Sequence, residues 1–334
     1  MSTPRAAIIG LSGPVLLAEE VAMLRRLRPL GAILFARNVE SPAQLAALTA
    51  AIRAELGGEA PILIDQEGGR VARLRPPHWP AFPPAAAFES RPAGAAEANA
   101  TLLGLECAAM GLDVVCAPVL DLRLPGAHGI IGDRSFGAAP EEVARLGAAW
   151  IAGLQAAGTI PVIKHIPGHG RAMADSHLEL PRVTEARDVL EADLAPFRAL
   201  AASGAWAMTA HILYPAWDAE RPATLSPRVI SGVIRGEIGF DGVLVSDDLA
   251  MHALQGPPGE LAAAALAAGC DLVLHCTGDL AETVAVLEGS APLSDRAAAR
   301  LAAARAATRL ASQGRTDDPA ALAARRDALL REAA

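Results

Sequence analysis

Three segments of the sequence concentrate side chains that can bind a polar ligand or carry a proton. The first, residues 64–73, reads IDQEGGRVAR. Its paired glycines allow the backbone to turn tightly, and Asp65 and Arg73 could hold the hydroxyl groups of a ligand. The segment has neither the lysine pattern of a P-loop nor the spaced glycine triplet of a dinucleotide site. The alternative interpretation is an ordinary turn with surface charges.

The second segment carries three histidines on a loop that glycine and proline interrupt. Residues 164–171 read KHIPGHGR, and Asp175-Ser176-His177 follows. Because Asp175 and His177 are two positions apart, the carboxylate can bind one ring nitrogen and leave the other for proton transfer. Two alternatives stay open at this point: a solvated loop whose histidines cap turns, and a metal site, since His and Asp are also metal ligands.

Two adjacent carboxylates close the third segment, VLVSDDLAM at residues 243–251. Successive side chains of a strand point to opposite faces, so only one of the two carboxylates is expected to face a site. We expect Asp247 to take that position and Asp248 to cap the segment that follows. A purely structural pair is the alternative.

The three segments lie at the ends of short apolar runs that alternate with longer, alanine-rich amphipathic stretches. The runs predict eight strands, at residues 6–11, 31–35, 62–65, 113–118, 159–164, 206–211, 243–247 and 271–276. Their continuous hydrophobicity is typical of parallel strands that are covered on both faces. Helical patterns between them include residues 42–56, 140–157, 186–202 and 260–268.

This alternation predicts an α/β fold, namely a (β/α)8 TIM barrel, with a doubly wound sheet as the alternative. The tail at residues 294–334 predicts two extra C-terminal helices with a break at 316–319. We find no linker that would divide the chain, so one domain is expected over residues 1–334.

Charged side chains follow the predicted strands at the end where barrel enzymes build their active sites. They are Asp65, Asp121, Lys164, His165, His211 and Asp247. Long loops at residues 75–84, 121–139 and 165–182 emerge at the same end. On the second of these loops, Arg134 could bind an acyl or hydroxyl oxygen, or form a surface salt bridge. His211 is either an additional ligand contact or a histidine satisfied by its neighbours.

Composition excludes several classes of protein. The 334 residues are 52% hydrophobic and 20% charged, which excludes intrinsic disorder. The net charge of −8 disfavours nucleic-acid binding, which needs a basic face. Four cysteines lie in apolar runs without metal-type spacing, which predicts reduced core thiols. The amino terminus has no signal-peptide pattern, and the sequence has no run of ~20 apolar residues, so a cytoplasmic protein without membrane contact is expected.

Taken together, the motifs resemble those of glycoside hydrolase family 3, specifically its bacterial β-N-acetylglucosaminidases. The segments DQEGGRV, GDRSFG, KHIPGHG with the downstream DSH, and SDDLAM occur in the order typical of that family. The resemblance extends over roughly residues 7 to 290. It implies a retaining hydrolase on a TIM barrel that needs neither a metal nor another cofactor.

The resemblance also implies a role for each matching residue. Asp247 corresponds to the nucleophile, and His177 with Asp175 corresponds to the acid/base dyad on a loop. The sugar-binding positions correspond to Asp65, Arg73, Arg134, Lys164 and His165. The implied substrates are small carbohydrates of cell-wall recycling, from which non-reducing terminal GlcNAc is removed. A monomer or weak homodimer is expected.

Two functions of other classes are weighed against this one. A metal-dependent amidohydrolase on the same barrel would also use Lys, His and Asp at strand ends. The first strand, however, ends in GLSG at residues 10–13 and has no His-x-His pair to hold a metal. A non-catalytic carbohydrate-binding protein would bind GlcNAc without turnover and would not need the pair Asp175 and His177.

Overall fold

Eight parallel strands close into a barrel in the computed structural model, which describes residues 3–316 and 318–332. The strands are β1 Arg5–Gly10, β2 Pro29–Leu34, β3 Ile62–Ile64, β4 Val114–Val115, β5 Ile160–Ile166, β6 Trp206–Thr209, β7 Leu244–Asp248 and β8 Leu272–His275. Each strand pairs with the next, and β8 pairs with β1, where Val273 lies opposite Ala7. The predicted (β/α)8 barrel is therefore confirmed, and the doubly wound alternative is wrong.

All eight strands differ from their predicted extents by at least one residue, and the differences in β4 and β5 bear on the site. β4 has only two ladder residues, Val114 and Val115, instead of the predicted 113–118. β5 continues to Ile166, two residues beyond the predicted end. Lys164 and His165 therefore lie within the strand, and the pairing of β5 with β6 fixes the backbone that carries them.

The continuous apolar runs have a simple structural cause, since the strands are buried on both sides. Alternate residues such as Ile8, Leu63 and Val245 form one buried cluster inside the barrel. The residues between them, such as Ile9 and Ile64, belong to a second cluster that packs against the surrounding helices. Both faces of each strand are thus apolar, which removes the alternation that a half-exposed strand shows.

Helices surround the barrel in the order that the sequence predicts. They are α1 Ala18–Leu27, α2 Pro42–Leu56, α3 Ala93–Ala109, α4 Pro140–Ala156, α5 Arg187–Ala199, α6 Pro258–Ala268, α7 Leu280–Gly289, α8 Asp295–Ser312 and α9 Pro319–Arg331. A π-helix, Val229–Glu237, connects β6 to β7, and short 3₁₀ turns occur at Ala36–Asn38, Ala85–Phe88, Gly132–Arg134 and Ala223–Leu225. Among these helices, α2 and α4 begin with a proline, which the first helical turn accommodates.

The two predicted C-terminal helices are α8 and α9. The side chain of Ser294 accepts a hydrogen bond at the start of α8, and that of Asp318 does so at the start of α9. The chain leaves helical structure between them, close to the predicted break at 316–319, of which residue 317 lies outside the described residues, as do residues 333–334 of the predicted tail.

Helix α8 closes the end of the barrel at which the strands begin. Leu301 and Ala304 of α8 belong to the cluster inside the barrel. Arg300 binds the carboxylate of Asp271, directly before β8, at 2.8 Å and also pairs with Asp241. These contacts leave the other end of the barrel, where the strands finish, open for a site.

All four cysteines are buried free thiols. Burial raises the pKa of each, to about 12 for Cys270 and further for Cys107, Cys116 and Cys276. In the part of the chain that the structure describes, no helix combines the length and the apolar character needed to span a membrane.

Candidate active site

A cavity of about 280 Å³ opens at the carboxyl ends of the strands. Most of the residues predicted as catalytic or substrate-binding line it: Asp65, Arg73, Arg134, Lys164, His165, His177 and Asp247. Asp175 and His211 do not line it. One side of the cavity is apolar and is formed by Phe35, Met208, Met251, Leu274 and Cys276. The barrel therefore brings together predicted site residues that are up to 182 residues apart in sequence, from Asp65 to Asp247.

A buried ion network forms one wall of the cavity. Lys164 Nζ lies 3.0 Å from Asp65 Oδ1 and 2.7 Å from Glu67 Oε1. Arg134 binds the same glutamate with two nitrogens, Nε at 2.8 Å and Nη2 at 2.9 Å. Glu67 belongs to the first motif segment, residues 64–73, and no role was predicted for it.

Electrostatics keeps Glu67, Arg134 and Lys164 charged. Burial opposes ionisation of Glu67, but Arg134 and Lys164 outweigh it and hold the pKa of its carboxyl far below the usual value. Burial likewise opposes the charge of Lys164, and the carboxylates of Asp65 and Glu67 raise the pKa of its ammonium in spite of it. The site thus presents fixed charges whose partners are already in place.

The turn after β3 positions Asp65 and Arg73 at the rim. The side-chain oxygen of Gln66 accepts hydrogen bonds from the backbone N–H groups of Arg73 at 2.7 Å and Leu74 at 3.0 Å. At Gly68, φ is +93° and a Cβ atom would lie 2.4 Å from the carbonyl oxygen of Pro83, so the turn requires glycine. Arg73 is folded back towards Asp65, with Nη2 at 3.3 Å from Oδ2.

His165 is oriented by a carboxylate behind it. Its Nδ1 lies 2.6 Å from Asp121 Oδ2, and its backbone N–H donates to the same carboxylate. Asp121 is buried, which opposes its ionisation, but His165 and His169 hold the pKa of its carboxyl below the usual value. The carboxylate accepts a hydrogen bond from Nδ1–H, and Nε2 of His165 lies 3.5 Å from Nη2 of Arg134. The sequence identifies Asp121 only as a residue at a strand end. In the structure, Asp121 positions the ring of His165.

Asp247 lies at the end of β7 with its carboxylate at the cavity. Its backbone N–H donates to Thr209 Oγ1 at 3.3 Å, and its Oδ1 accepts the N–H of Asp248 at 2.9 Å. Burial disfavours its charge, yet His165, His211 and further contacts hold the pKa of the carboxyl below the usual value. A half-buried, ionised carboxylate at this position can act as a nucleophile.

The neighbouring carboxylate has a different role. Asp248 also borders the cavity, but its Oδ1 accepts the backbone N–H groups of Ala250 and Cys276, each at 3.0 Å. Burial raises the pKa of Asp248. Its carboxylate thus joins β7 to the end of β8 and holds the segment that follows Asp247.

His211 does not reach the cavity as a substrate contact. Its Nδ1 lies 2.7 Å from Thr224 Oγ1 and its Nε2 lies 3.0 Å from the carbonyl oxygen of Asp248. Both ring nitrogens are therefore occupied. The residue is fully buried, which lowers the pKa of the imidazole. The structure places it behind β7, where it supports the backbone at Asp247.

The pair Asp175 and His177 lies on the loop after β5. His177 Nδ1 is 2.7 Å from Asp175 Oδ1, which also accepts the backbone N–H of His177 at 2.9 Å. The partial burial of Asp175 opposes its charge, but these bonds hold the pKa of its carboxyl below the usual value. The side chain of His177 is 60% exposed at the mouth of the cavity. Its Nε2 is left for proton exchange with a ligand or with water.

Comparison with known proteins assigns the family. Residues 15–306 match the glycosyl hydrolase family 3 N-terminal domain. The chain belongs to this family. Within the described residues, no group of three or more His, Cys, Asp or Glu side chains is arranged to hold a metal ion.

Individual relatives agree with that assignment. A protein named Beta-hexosaminidase from Alkalilimnicola ehrlichii is 46% identical over 279 residues, which is 80% of each chain. NagZ from Neisseria gonorrhoeae, solved in complex with N-trifluoroacetyl-D-glucosamine, has a TM-score of 0.84 at 34% identity and covers 98% of this chain and 97% of its own. A family 3 β-N-acetylglucosaminidase from Paenibacillus has a TM-score of 0.82 at 36% identity. This chain covers 63% of that longer protein.

These findings confirm the family and the class of enzyme that the motifs predicted. The chain is a glycoside hydrolase of the β-hexosaminidase type. The two alternatives, a metal-dependent amidohydrolase and a non-catalytic binding protein, are both disfavoured by this membership.

Proposed function

We propose that the protein is an exo-acting, retaining β-N-acetylglucosaminidase with Asp247 as its nucleophile and the pair His177 and Asp175 as its acid/base. One observation carries the proposal: an ionised, half-buried carboxylate and a carboxylate-oriented imidazole border the same cavity. The proposed substrates are cell-wall muropeptides such as GlcNAc-1,6-anhydro-MurNAc, with or without a peptide, and the proposed compartment is the cytoplasm.

In the first step, a carboxylate oxygen of Asp247 bonds to C1 of the sugar while the bond from C1 to the bridging oxygen breaks. His177 donates its Nε2 proton to that departing oxygen. The carboxylate of Asp175 accepts a hydrogen bond from Nδ1–H of His177 and stabilises the imidazolium before the proton is transferred. The transition state has oxocarbenium character, and the product of the step is a glycosyl ester on Asp247.

In the second step, the neutral imidazole of His177 removes a proton from water as the water oxygen bonds to C1. The ester bond to Asp247 breaks and the carboxylate is regenerated. Two inversions at C1 give overall retention. The exposed position of His177 supports this role because water must reach it once the first product has left.

The wall formed by the ion network suits a neutral sugar. The cavity is lined by four cationic side chains and four carboxylates, so its formal charges balance: Lys164, Arg134, Arg73 and Arg70 against Asp65, Glu67, Asp247 and Asp248. A balanced site offers strong hydrogen-bond donors and acceptors without attracting an anion. We propose that Asp65, Arg73, Arg134, Lys164 and His165 hold the sugar hydroxyls, where binding energy can favour the distorted ring.

The experiment that tests the nucleophile is mass spectrometry after incubation with a 5-fluoro-GlcNAc trap. We expect the label on the peptide that contains Asp247, and no label in Asp247→Asn. A label on another carboxylate would overturn the assignment. Proton NMR of the first product formed from GlcNAc-1,6-anhydro-MurNAc should show the β-anomer of GlcNAc.

Two further outcomes decide between this function and the alternatives. Activity that is lost on exhaustive chelation would favour an amidohydrolase. Binding of GlcNAc without any turnover would favour a carbohydrate-binding protein. We expect full activity after chelation and release of free GlcNAc.

A further inference from the structure

Ser176 stands between the two members of the catalytic dyad and is buried, although His177 beside it is exposed. Its Oγ lies 3.3 Å from Nε2 of His169. Its carbonyl oxygen accepts the backbone N–H of Ala253 at 3.2 Å. The peptide that carries Asp175 and His177 is therefore held at its centre, from two different elements of the barrel.

The first of these elements is the segment that follows β5. The backbone N–H of His169 donates to Asp121 Oδ1 at 2.7 Å, and its ring packs edge-on against that of His165 at 5.5 Å. Burial and the neighbouring His165 lower the pKa of His169 to about 4, so its imidazole is neutral near pH 7. Its Nδ1 has no hydrogen-bond partner among the described residues, which leaves Ser176 as the one hydrogen-bond partner of the ring there.

The second element is the segment that follows β7. Asp248 holds it through the N–H of Ala250, at 3.0 Å from its carboxylate, and through the N–H of Met251, at 3.1 Å from its carbonyl oxygen. Ala253 comes two residues later and binds Ser176. The chain segment after Asp247 thus contacts the segment that carries His177, and Ser176 is the point of contact.

We propose that Ser176, held by His169, is a positioning residue that sets the place of the His177 imidazole relative to Asp247. The inference deepens the proposed function and rests on it. Ser176 acts through its neighbours: its hydroxyl is bound to the His169 ring, and the exposed side chain of His177 has Asp175 as its own side-chain partner. Without the hydroxyl contact, the dyad keeps its internal hydrogen bond but loses one of the two attachments of its backbone.

The test uses two substrates that differ in their need for an acid. GlcNAc-1,6-anhydro-MurNAc has a poor leaving group that must be protonated, whereas 2,4-dinitrophenyl β-GlcNAc has one that leaves without a proton. For Ser176→Ala, we expect kcat/KM on the disaccharide to fall about 10²-fold, the scale on which a misplaced group of about 1 Å costs rate. We expect kcat/KM on the dinitrophenyl substrate to stay within about threefold of wild type.

Three further variants make the result specific. Ser176→Thr retains the hydroxyl and should restore most of the loss. His169→Ala removes the ring but not the backbone N–H that binds Asp121, and it should reproduce the difference between substrates if Ser176→Ala does not fold. Ser226→Ala removes a buried hydroxyl that binds Asp218 at 2.6 Å, away from the dyad, and should lower stability without separating the two substrates.

His177→Ala distinguishes failure of the inference from failure of the proposed function. If His177→Ala affects both substrates equally, the proposed acid/base is wrong. If His177→Ala separates the substrates but Ser176→Ala and His169→Ala do not, only the positioning role is overturned. In the double variant, Ser176→Ala should cause no further loss on the disaccharide once His177 is absent, and an additive loss would contradict action through the dyad.

Discussion

The two proposed catalytic groups are held in very different ways. Asp247 lies at the end of a barrel strand, with its backbone bound to Thr209 and the adjacent carbonyl bound to His211. His177 lies on a loop, is 60% exposed and has one side-chain partner, Asp175. The backbone around Asp247 is thus fixed by buried polar groups that water cannot reach. The side chain of His177 is held by one hydrogen bond, to Asp175, in a position that water can reach.

This difference agrees with what each group must do. Bond formation at C1 depends steeply on distance and angle, so a rigid support is an advantage for Asp247. A proton is passed over a hydrogen bond, first to the departing oxygen and later from water, and His177 must meet both partners in turn. The position of Asp247 is therefore rigid, and that of His177 is accessible to water and to the leaving group.

The largest effect is expected from the rigid side. Asp247→Ala should lower kcat on the order of 10⁴-fold for every leaving group, because no second residue can form the glycosyl ester. Azide, added at high concentration, should occupy the vacated space and yield the α-glycosyl azide. Activity that persists on the dinitrophenyl substrate without azide would contradict the role of Asp247 as nucleophile.

On the exposed side, the loss should depend on the substrate. His177→Ala should lower kcat/KM for the disaccharide by about 10² to 10⁴-fold, the usual contribution of a general acid. For the dinitrophenyl substrate kcat/KM should change little, and azide should give the β-glycosyl azide by attack on the ester. An α-product from this variant would show that the two sides have been assigned in reverse.

A substitution in the ion network tests whether its buried charges stabilise the fold around the cavity. Glu67→Gln leaves Arg134 and Lys164 without their shared carboxylate and should cost about 3–5 kcal/mol of unfolding free energy, the scale for breaking a buried ion pair. KM should rise as well, since both cations line the cavity.

Urea unfolding at constant pH measures the cost of Glu67→Gln. Glu288→Gln is the matched control, because Glu288 pairs with Arg26 on the surface at 3.5 Å and screening makes such pairs weak. Its unfolding curve should match that of the wild type. Equal losses in the two variants would show that burial of the network is not what matters.

The smallest effect is expected in the pH dependence of stability and comes from His169, which contacts both Asp121 and Ser176. Its pKa is lowered to about 4 in the folded protein, while an unfolded chain takes up the proton near pH 6.5. Between these values the unfolded state binds more protons, so stability is complete above pH 6.5 and is lost as the pH falls towards 4.

The pH dependence can be measured by urea unfolding at pH 7.5 and pH 5. Between these two values, His169 should contribute a loss of about 2 kcal/mol. Burial lowers the pKa of His211 and His275 as well, so the wild type loses additional stability through them. His169→Gln should lose about 2 kcal/mol less than the wild type over the same interval, and equal losses would contradict a neutral His169.

The sequence predicts the barrel well because its signals are local. Continuous apolar runs and proline-initiated helices such as Pro42–Leu56 identify strands and helices without knowledge of the partners. The polar side chains at strand ends then follow from the topology, since parallel strands of a barrel all finish at the same rim. Asp65, Lys164 and Asp247 could be placed near one another for this reason.

Residues whose roles depend on distant partners could not be recognised in this way. Glu67 looks like a turn residue, and its cations come from 67 and 97 positions further along the chain. Asp121 orients the ring of His165 in the next strand and binds the backbone N–H of His169 in the segment after that strand. For His211, the sequence left two interpretations open, and only the fold shows that both ring nitrogens are bonded. Ser176 carries no signal beyond its place in the motif.

The four buried cysteines have a practical consequence. Thiol reagents react with the thiolate, and burial raises the pKa of all four thiols and keeps them protonated. Cys107, Cys116 and Cys270 are also shielded, whereas Cys276 borders the cavity. The substitution Leu310→Cys, on the exposed surface of α8, would add one accessible thiol at the end of the barrel opposite the cavity. A fluorophore or a solid support could be attached there selectively, with the mouth of the enzyme left free for substrate.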